Sequence, residues 1–149
     1  MVWKPHVTVA AIVERENRFL MVEENIFGSP LINQPAGHLE EGESLLDAVS
    51  RETTEETGWI FVPRWVIGIH LWRHPGNSAT FLRVSFAGDC TDFDPSRELD
   101  SSIIQTLWLS RNDLEIRKHS LRSPMVLRCI DDYLNGSRYA LSLLQSMLS

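Results

Sequence analysis

Cysteine is scarce: Cys90 and Cys129 are the only two in 149 residues. They lie far apart and without a metal-ligating companion, which excludes a disulfide scaffold and a CxxC-type zinc module. A reducing, cytoplasmic setting is the expectation. Long apolar runs are missing as well, since none reaches the roughly 18 residues of a spanning helix. The opening MVWKPHVTV has no basic segment followed by an apolar run and a small-residue cleavage site, so neither export nor a membrane location is expected. Positive charge is also short: 14 Lys and Arg stand against 20 Asp and Glu, a net charge of −6. That balance disfavours an extended nucleic-acid surface, which draws most of its non-specific affinity from neutralising phosphates. It leaves room for a phosphorylated small molecule if divalent cations supply positive charge locally. Repeats, linkers and low-complexity tracts are absent, and the length fits one domain over residues 1–149.

The residues that are present alternate between two periods. His6 to Val13 is almost continuously apolar and Arg18 to Val22 follows the turn-like Glu16-Asn17, which predicts a hairpin. Asn25 to Gly37 carries Gly28, Pro30, Pro35 and Gly37 around Asn33-Gln34 and reads as an irregular loop. Glu43 to Thr57 contains neither Gly nor Pro and predicts a helix ended by Gly58, with Leu46, Val49 and Thr53 on its buried line and Leu45 and Ala48 widening it. Trp59 to Trp72 and Ala79 to Gly88 read as strands around the turn His74-Pro75-Gly76-Asn77. A late strand around Trp108 precedes a short helix capped by Ser110. Ser123-Pro124 opens a longer helix, and Ala140 to Leu148 reads as a final short one. This order favours an α/β fold, a mixed sheet with helices on both sides.

The predicted central helix ends in an unfavourable cluster. Glu52, Glu55 and Glu56 fall within one sector of its last turns, beside Arg51. Like charges at i,i+4 cost about 0.2–0.5 kcal/mol, and carboxylates near a helix C-terminus lose roughly 0.3–1 kcal/mol each. A solvated acidic face is one reading. The other is an oxygen-rich site for a hard divalent ion, Mg²⁺ or Mn²⁺, whose charge offsets the repulsion. The glycine-containing loop upstream and Glu43, eight residues before Arg51, favour the second.

Gly37, Glu43 and the run Arg51-Glu52-Thr53-Thr54-Glu55-Glu56-Thr57-Gly58-Trp59, at these spacings, resemble the signature of the Nudix hydrolase family. Every charged residue and both glycines of the 23-residue pattern match. Thr53 departs from it, standing where the family usually has a bulky aliphatic. The resemblance implies an α/β/α sandwich that hydrolyses a phosphoanhydride bond. It makes Glu52, Glu55 and Glu56 metal ligands with the Gly37 carbonyl as an additional one, Arg51 the group that orients the carboxylates, Glu43 its partner or that of the loop, and Gly58 the helix stop. Either Glu52 or Glu55 is then the base for the attacking water. A second departure concerns that base: many members carry an acid three or four positions before the late-strand tryptophan, where this chain has Gln105 and Ile104. Glu98 and Asp100 are the alternative bases.

Substrate contacts are less constrained. His38 adjoins the signature and suits either phosphate contact or turn stabilisation. Arg73 and Arg83 suit phosphate or solvent, and Arg122 suits phosphate or the entry to the helix at Ser123-Pro124. Trp72 or Phe27 can stack on a ring, although tryptophans in strands pack into cores by default. The resemblance implies release of terminal phosphate from a pyrimidine pyrophosphate related to thiamine synthesis and from nucleoside tri- or diphosphates. Pyrophosphatase action on ADP-ribose or a diadenosine polyphosphate is the alternative, and a catalytically silent nucleotide-binding module is a third reading. A monomer is preferred over a homodimer, because no coiled-coil repeat or isolated apolar helix face is evident.

Overall fold

The computed structural model describes residues 1–148. In chain order the elements are β1 (His6–Ile12), β2 (Glu14–Arg15), β3 (Arg18–Ile26), β4 (Ser29–Asn33), β5 (Ala36–His38), α1 (Leu45–Thr57), β6 (Trp59–Arg73), β7 (Thr80–Phe93), β8 (Ile103–Ser110), α2 (Arg111–Ile116), α3 (Met125–Leu134) and β9 (Tyr139–Ala140). Single 3₁₀ turns lie at Lys118–Ser120 and Leu141–Leu143. Among the described residues no helix is long and apolar enough to cross a membrane.

One sheet runs β5-β1-β7-β6-β9, mixed because β1 pairs parallel with β7 and antiparallel with β5. The other joins β2, β3 and β4, with β8 on the second edge of β3. Alternation along the buried strands sorts their side chains into two cores. Val9, Ala11, Val13 and Leu20 pack with Ala48 and Val49 of α1, whereas Ile12, Phe19 and Met21 pack with Leu114 of α2 and Val126 and Ile130 of α3. Helices therefore cover both sides, the α/β/α arrangement. Each fully buried Phe or Ile in these cores contributes about 1.5–3 kcal/mol.

Several elements differ from the sequence reading: β1 pairs with β5 and β7 instead of forming a hairpin with β3, which pairs with β2, and β3 and β7 run on to Ile26 and Phe93. The helix begins at Leu45, because Ser44 takes the N-cap and accepts from the Asp47 amide at 3.1 Å. The supposed loop Asn25 to Gly37 contains β4 and the start of β5. Pro30 is compatible with a strand there because, beyond β3, β4 meets only an isolated bridge from Ile32 to Leu121, leaving Pro30 on a free edge. The expected helix from Ala140 is instead the two-residue β9 followed by a 3₁₀ turn, since Tyr139 and Ala140 pair with Val66 and Trp65 of β6. Tertiary pairing overrides the helical spacing of the leucines.

Candidate active site

Both ends of α1 are defined by their caps, which sets the height of its acidic turn. Gly58 ends it at φ 79°, donating its amide to the Thr54 carbonyl at 2.9 Å. A side chain at Gly58 would be strained by that φ and would crowd the Asp94 carbonyl. Thr53, the departure from the family pattern, is fully buried, and its hydroxyl donates to the Val49 carbonyl at 2.8 Å. The added polar atom is thus satisfied within the helix.

Arg51 is the hub. Its Nε and Nη2 donate to the two oxygens of Glu43 at 3.0 and 2.7 Å, and Nη1 donates to Glu52 at 2.8 Å and Glu55 at 3.1 Å. Nη2 also donates to the His38 carbonyl at 3.0 Å. Glu43 accepts from the Glu40 amide at 2.8 Å as well, so it pairs with both arginine and loop. The hydrogen bonds from Arg51 hold the Glu43 carboxyl below its usual pKa.

Burial has the opposite effect on the carboxylates facing the sheet. Glu52 is pushed upward by burial, with Arg51 opposing. Glu56 turns inward to accept from the Ala36 amide at 2.9 Å, and burial followed by the charge of Glu24 pushes it up to about 9. Glu52 and Glu55 instead join Asp100, the three offering oxygens within 4.8 Å of one another. The Asp100 amide, which donates to the Glu55 carbonyl at 3.0 Å, ties that loop to the helix end. Glu98 is exposed and outside this group. Gly37 on β5 approaches so closely that a Cβ built there would overlap the Glu52 carboxylate. An all-oxygen donor set with one guanidinium among several carboxylates fits a hard divalent cation. The residues that could hold it are Glu52, Glu55, Glu56, Asp100 and the Gly37 carbonyl.

A cleft of about 620 Å³ opens beside these groups, a volume suited to a small-molecule ligand. Glu52, Glu56 and Gly37 line it, as do His38, Trp72 and Arg122. Trp72 stacks on Phe81 with ring centroids 5.9 Å apart, and Phe81 stacks on His6 at 5.0 Å. His38 sits with Nε2 3.3 Å from His6 Nδ1, and its pKa is lowered by burial, then by His6 and Arg122. Arg73 is exposed and is not among the lining residues, because strand alternation turns it away from Trp72 and His74. Arg122 lines the cleft and lies 3.5 Å from Glu24, while Ser123 Oγ accepts from the Met125 amide at the entry to α3. Sequence reasoning missed Glu24 and Phe81. Glu24 carried a signal, an acid continuing the Leu20, Val22 alternation into buried territory.

The Glu56 shift has a measurable sign. In metal-free protein Glu56 stays protonated when folded and ionises near 4.5 when unfolded, so folding takes up a proton between those values. Its contribution to stability is fully present below about pH 4.5 and is lost as pH rises towards about 9. Glu56→Gln in a chelator is therefore expected to melt several degrees above the parent at pH 8 and to converge with it near pH 5. Parallel melting curves at the two pH values would refute this.

The chain belongs to the Nudix family: the NUDIX domain profile matches residues 4–129. It is similar to the phosphatase NudJ of Escherichia coli K12, 43% identical over 142 residues that cover 95% of this chain and 92% of that protein. NudJ of Shigella sonnei gives the same figures. Among solved structures, a NUDIX hydrolase from Nitrosomonas europaea superposes with a TM-score of 0.95 at 45% identity, covering 97% of this chain and 98% of that one. An ADP-ribose pyrophosphatase from Streptococcus suis shares the fold at a TM-score of 0.69 and 20% identity, over 91% of this chain and 96% of its own. The protein is thus an enzyme, a Nudix hydrolase.

Proposed function

We propose that this enzyme uses Mg²⁺, with Mn²⁺ as substitute, to release terminal phosphate from a pyrimidine diphosphate of the thiamine-precursor kind and from nucleoside tri- and diphosphates. The observation that carries this reading is that one cleft combines the Glu52 and Glu56 carboxylates with the aromatic wall of Trp72 and Phe81. A phosphate chain and a planar ring of one substrate then have separate partners. Similarity to a protein named a phosphatase supports phosphate as the leaving product.

When bound, the cation supplies positive charge for the phosphates and lowers the pKa of a water molecule. The chain's own residues do the rest. Glu52, Glu55 and Glu56 would hold the ion with the Gly37 carbonyl, and Arg51 fixes the directions of Glu52 and Glu55. Water attacks phosphorus, the anhydride P–O bond breaks, and the water's proton passes to a carboxylate. Glu52 or Glu55 serves as that base, with Asp100, grouped beside them, as the third candidate. Arg122 and the His38 ring, whose lowered pKa favours the neutral form, contact phosphate oxygens. The enzyme works as a cytoplasmic monomer.

The test is a panel of nucleoside tri- and diphosphates, the pyrimidine diphosphate, ADP-ribose and diadenosine polyphosphates, with orthophosphate, pyrophosphate and nucleoside monophosphates measured separately. Orthophosphate is expected from the first two groups, only with Mg²⁺ or Mn²⁺ present. Monophosphates from ADP-ribose or diadenosine polyphosphates alone would replace this reading with the dinucleotide pyrophosphatase one. Tight ligand binding without turnover would overturn both.

A further inference from the structure

Arg83 is a cation on β7 with only 2% of its surface exposed, lining the cleft yet unused by the phosphate chemistry. Its Nη1 donates to Gln34 Oε1 at 3.1 Å and its Nη2 to Asn33 Oδ1 at 2.7 Å. Gln34 is itself immobilised, fully buried and donating Nε2 to the Val126 carbonyl of α3 at 2.8 Å. Nη1 also donates to Cys129 Sγ at 3.8 Å. Arg83 is thus held by α3 and cannot follow a movement of Asn33.

This network decides which end of the Asn33 amide faces ligand. Guanidinium has donors and no acceptor, so the atom it meets on Asn33 has to be the oxygen. The amide is pinned in one orientation. Asn33 lines the cleft, and its Nδ2 has no partner among the described residues and is not a buried orphan. With Oδ1 taken by Arg83, what this side chain has left to offer a ligand in the cleft is the two N–H donors of Nδ2. Trp72 and Phe81, which form the aromatic wall, line the same cleft.

We propose that Asn33 is a specificity-determining residue: pinned by Arg83, it offers only donors to the cleft and selects substrate rings with a hydrogen-bond acceptor, a keto oxygen or an unprotonated ring nitrogen, on the facing edge. Arg83 is its positioning residue. The inference rests on the reading of the cleft as a site for ring-bearing diphosphates. A ring whose facing edge is apolar leaves the donors unpaired on desolvation, which lowers its affinity.

Equilibrium binding tests this independently of turnover, using two non-hydrolysable ligands with Mg²⁺ present: uridine 5′-(α,β-methylene)diphosphate, whose ring carries keto oxygens, and benzyl methylenediphosphonate, whose ring has no polar edge. Asn33→Leu is expected to weaken the uridine ligand about tenfold, one hydrogen bond's worth, without weakening the benzyl ligand. Asn33→Asp, which turns an acceptor into the cleft, weakens the uridine ligand at least as much. Arg83→Met frees the amide to rotate and weakens the uridine ligand about threefold, again sparing the benzyl ligand. A general structural defect would weaken both ligands together. Equal effects of Asn33→Leu on the two ligands, or none on either, overturn the assignment to Asn33. An Arg83→Met protein that folds and keeps the parental affinity ratio overturns the pinning. Because binding is read directly, failure of the panel above to release phosphate would count against the proposed reaction and leave this result legible.

Discussion

Glu52→Gln is expected to lower kcat/KM by about 10³-fold, or about 4 kcal/mol of barrier, while leaving the fold intact. Glu52 is where the demands of the site meet: it lines the cleft, accepts from Arg51 at 2.8 Å, and shares the carboxylate group with Glu55 and Asp100. Gln has almost the same shape and still accepts from Arg51, so packing against β5 is retained. What disappears is the negative charge and the capacity to hold a cation or a proton. Burial raises the Glu52 pKa in the metal-free protein, so neutralising it does not destabilise the chain. Orthophosphate release under saturating Mg²⁺, with thermal melting as control, provides the measurement. Activity within threefold of the parent would remove Glu52 from the proposed site.

Gly37→Ala is expected to lower kcat/KM by about 10²-fold with a small loss of stability, the usual scale for a catalytic group displaced by about 1 Å. The added methyl would occupy the space of the Glu52 carboxylate. That carboxylate is the far end of a flexible side chain, so it swings aside and the backbone stays. The swing breaks its alignment with Arg51 and Asp100. Since both substitutions act through one carboxylate, the double variant Gly37→Ala, Glu52→Gln is expected to be no slower than Glu52→Gln alone. Fully multiplied losses in the double variant would show that Gly37 acts by some other route.

The parts of this site that local chemistry specifies were readable from the sequence. Helix α1 carries its own start at Ser44, its own stop at Gly58 and no interruption between them, so the spacing of Arg51, Glu52 and Glu55 converts directly into geometry. The cleft is another matter. Phe81 and His6 stack because β1 and β7 pair in parallel across 75 residues of sequence, with His6 opposite Phe81. Asn33 and Arg83 meet through a side-chain hydrogen bond between strands of the two different sheets. No periodicity reports such partners. The split among the acidic residues was equally hidden: Glu56 turns to the Ala36 amide and Asp100 takes the place beside Glu55, a consequence of how β5 and the loop before β8 dock on the helix.

A guanidinium has five N–H bonds, and Arg51 commits all five to Glu43, Glu52, Glu55 and the His38 carbonyl. Nothing remains on it for a phosphate oxygen. The only cation in the acidic turn is therefore spent inside the protein, and an anion arriving alone meets net negative charge. On the proposed function, the divalent ion would have to come first or arrive already bound to the substrate, and released orthophosphate would lose its hold once that ion departed.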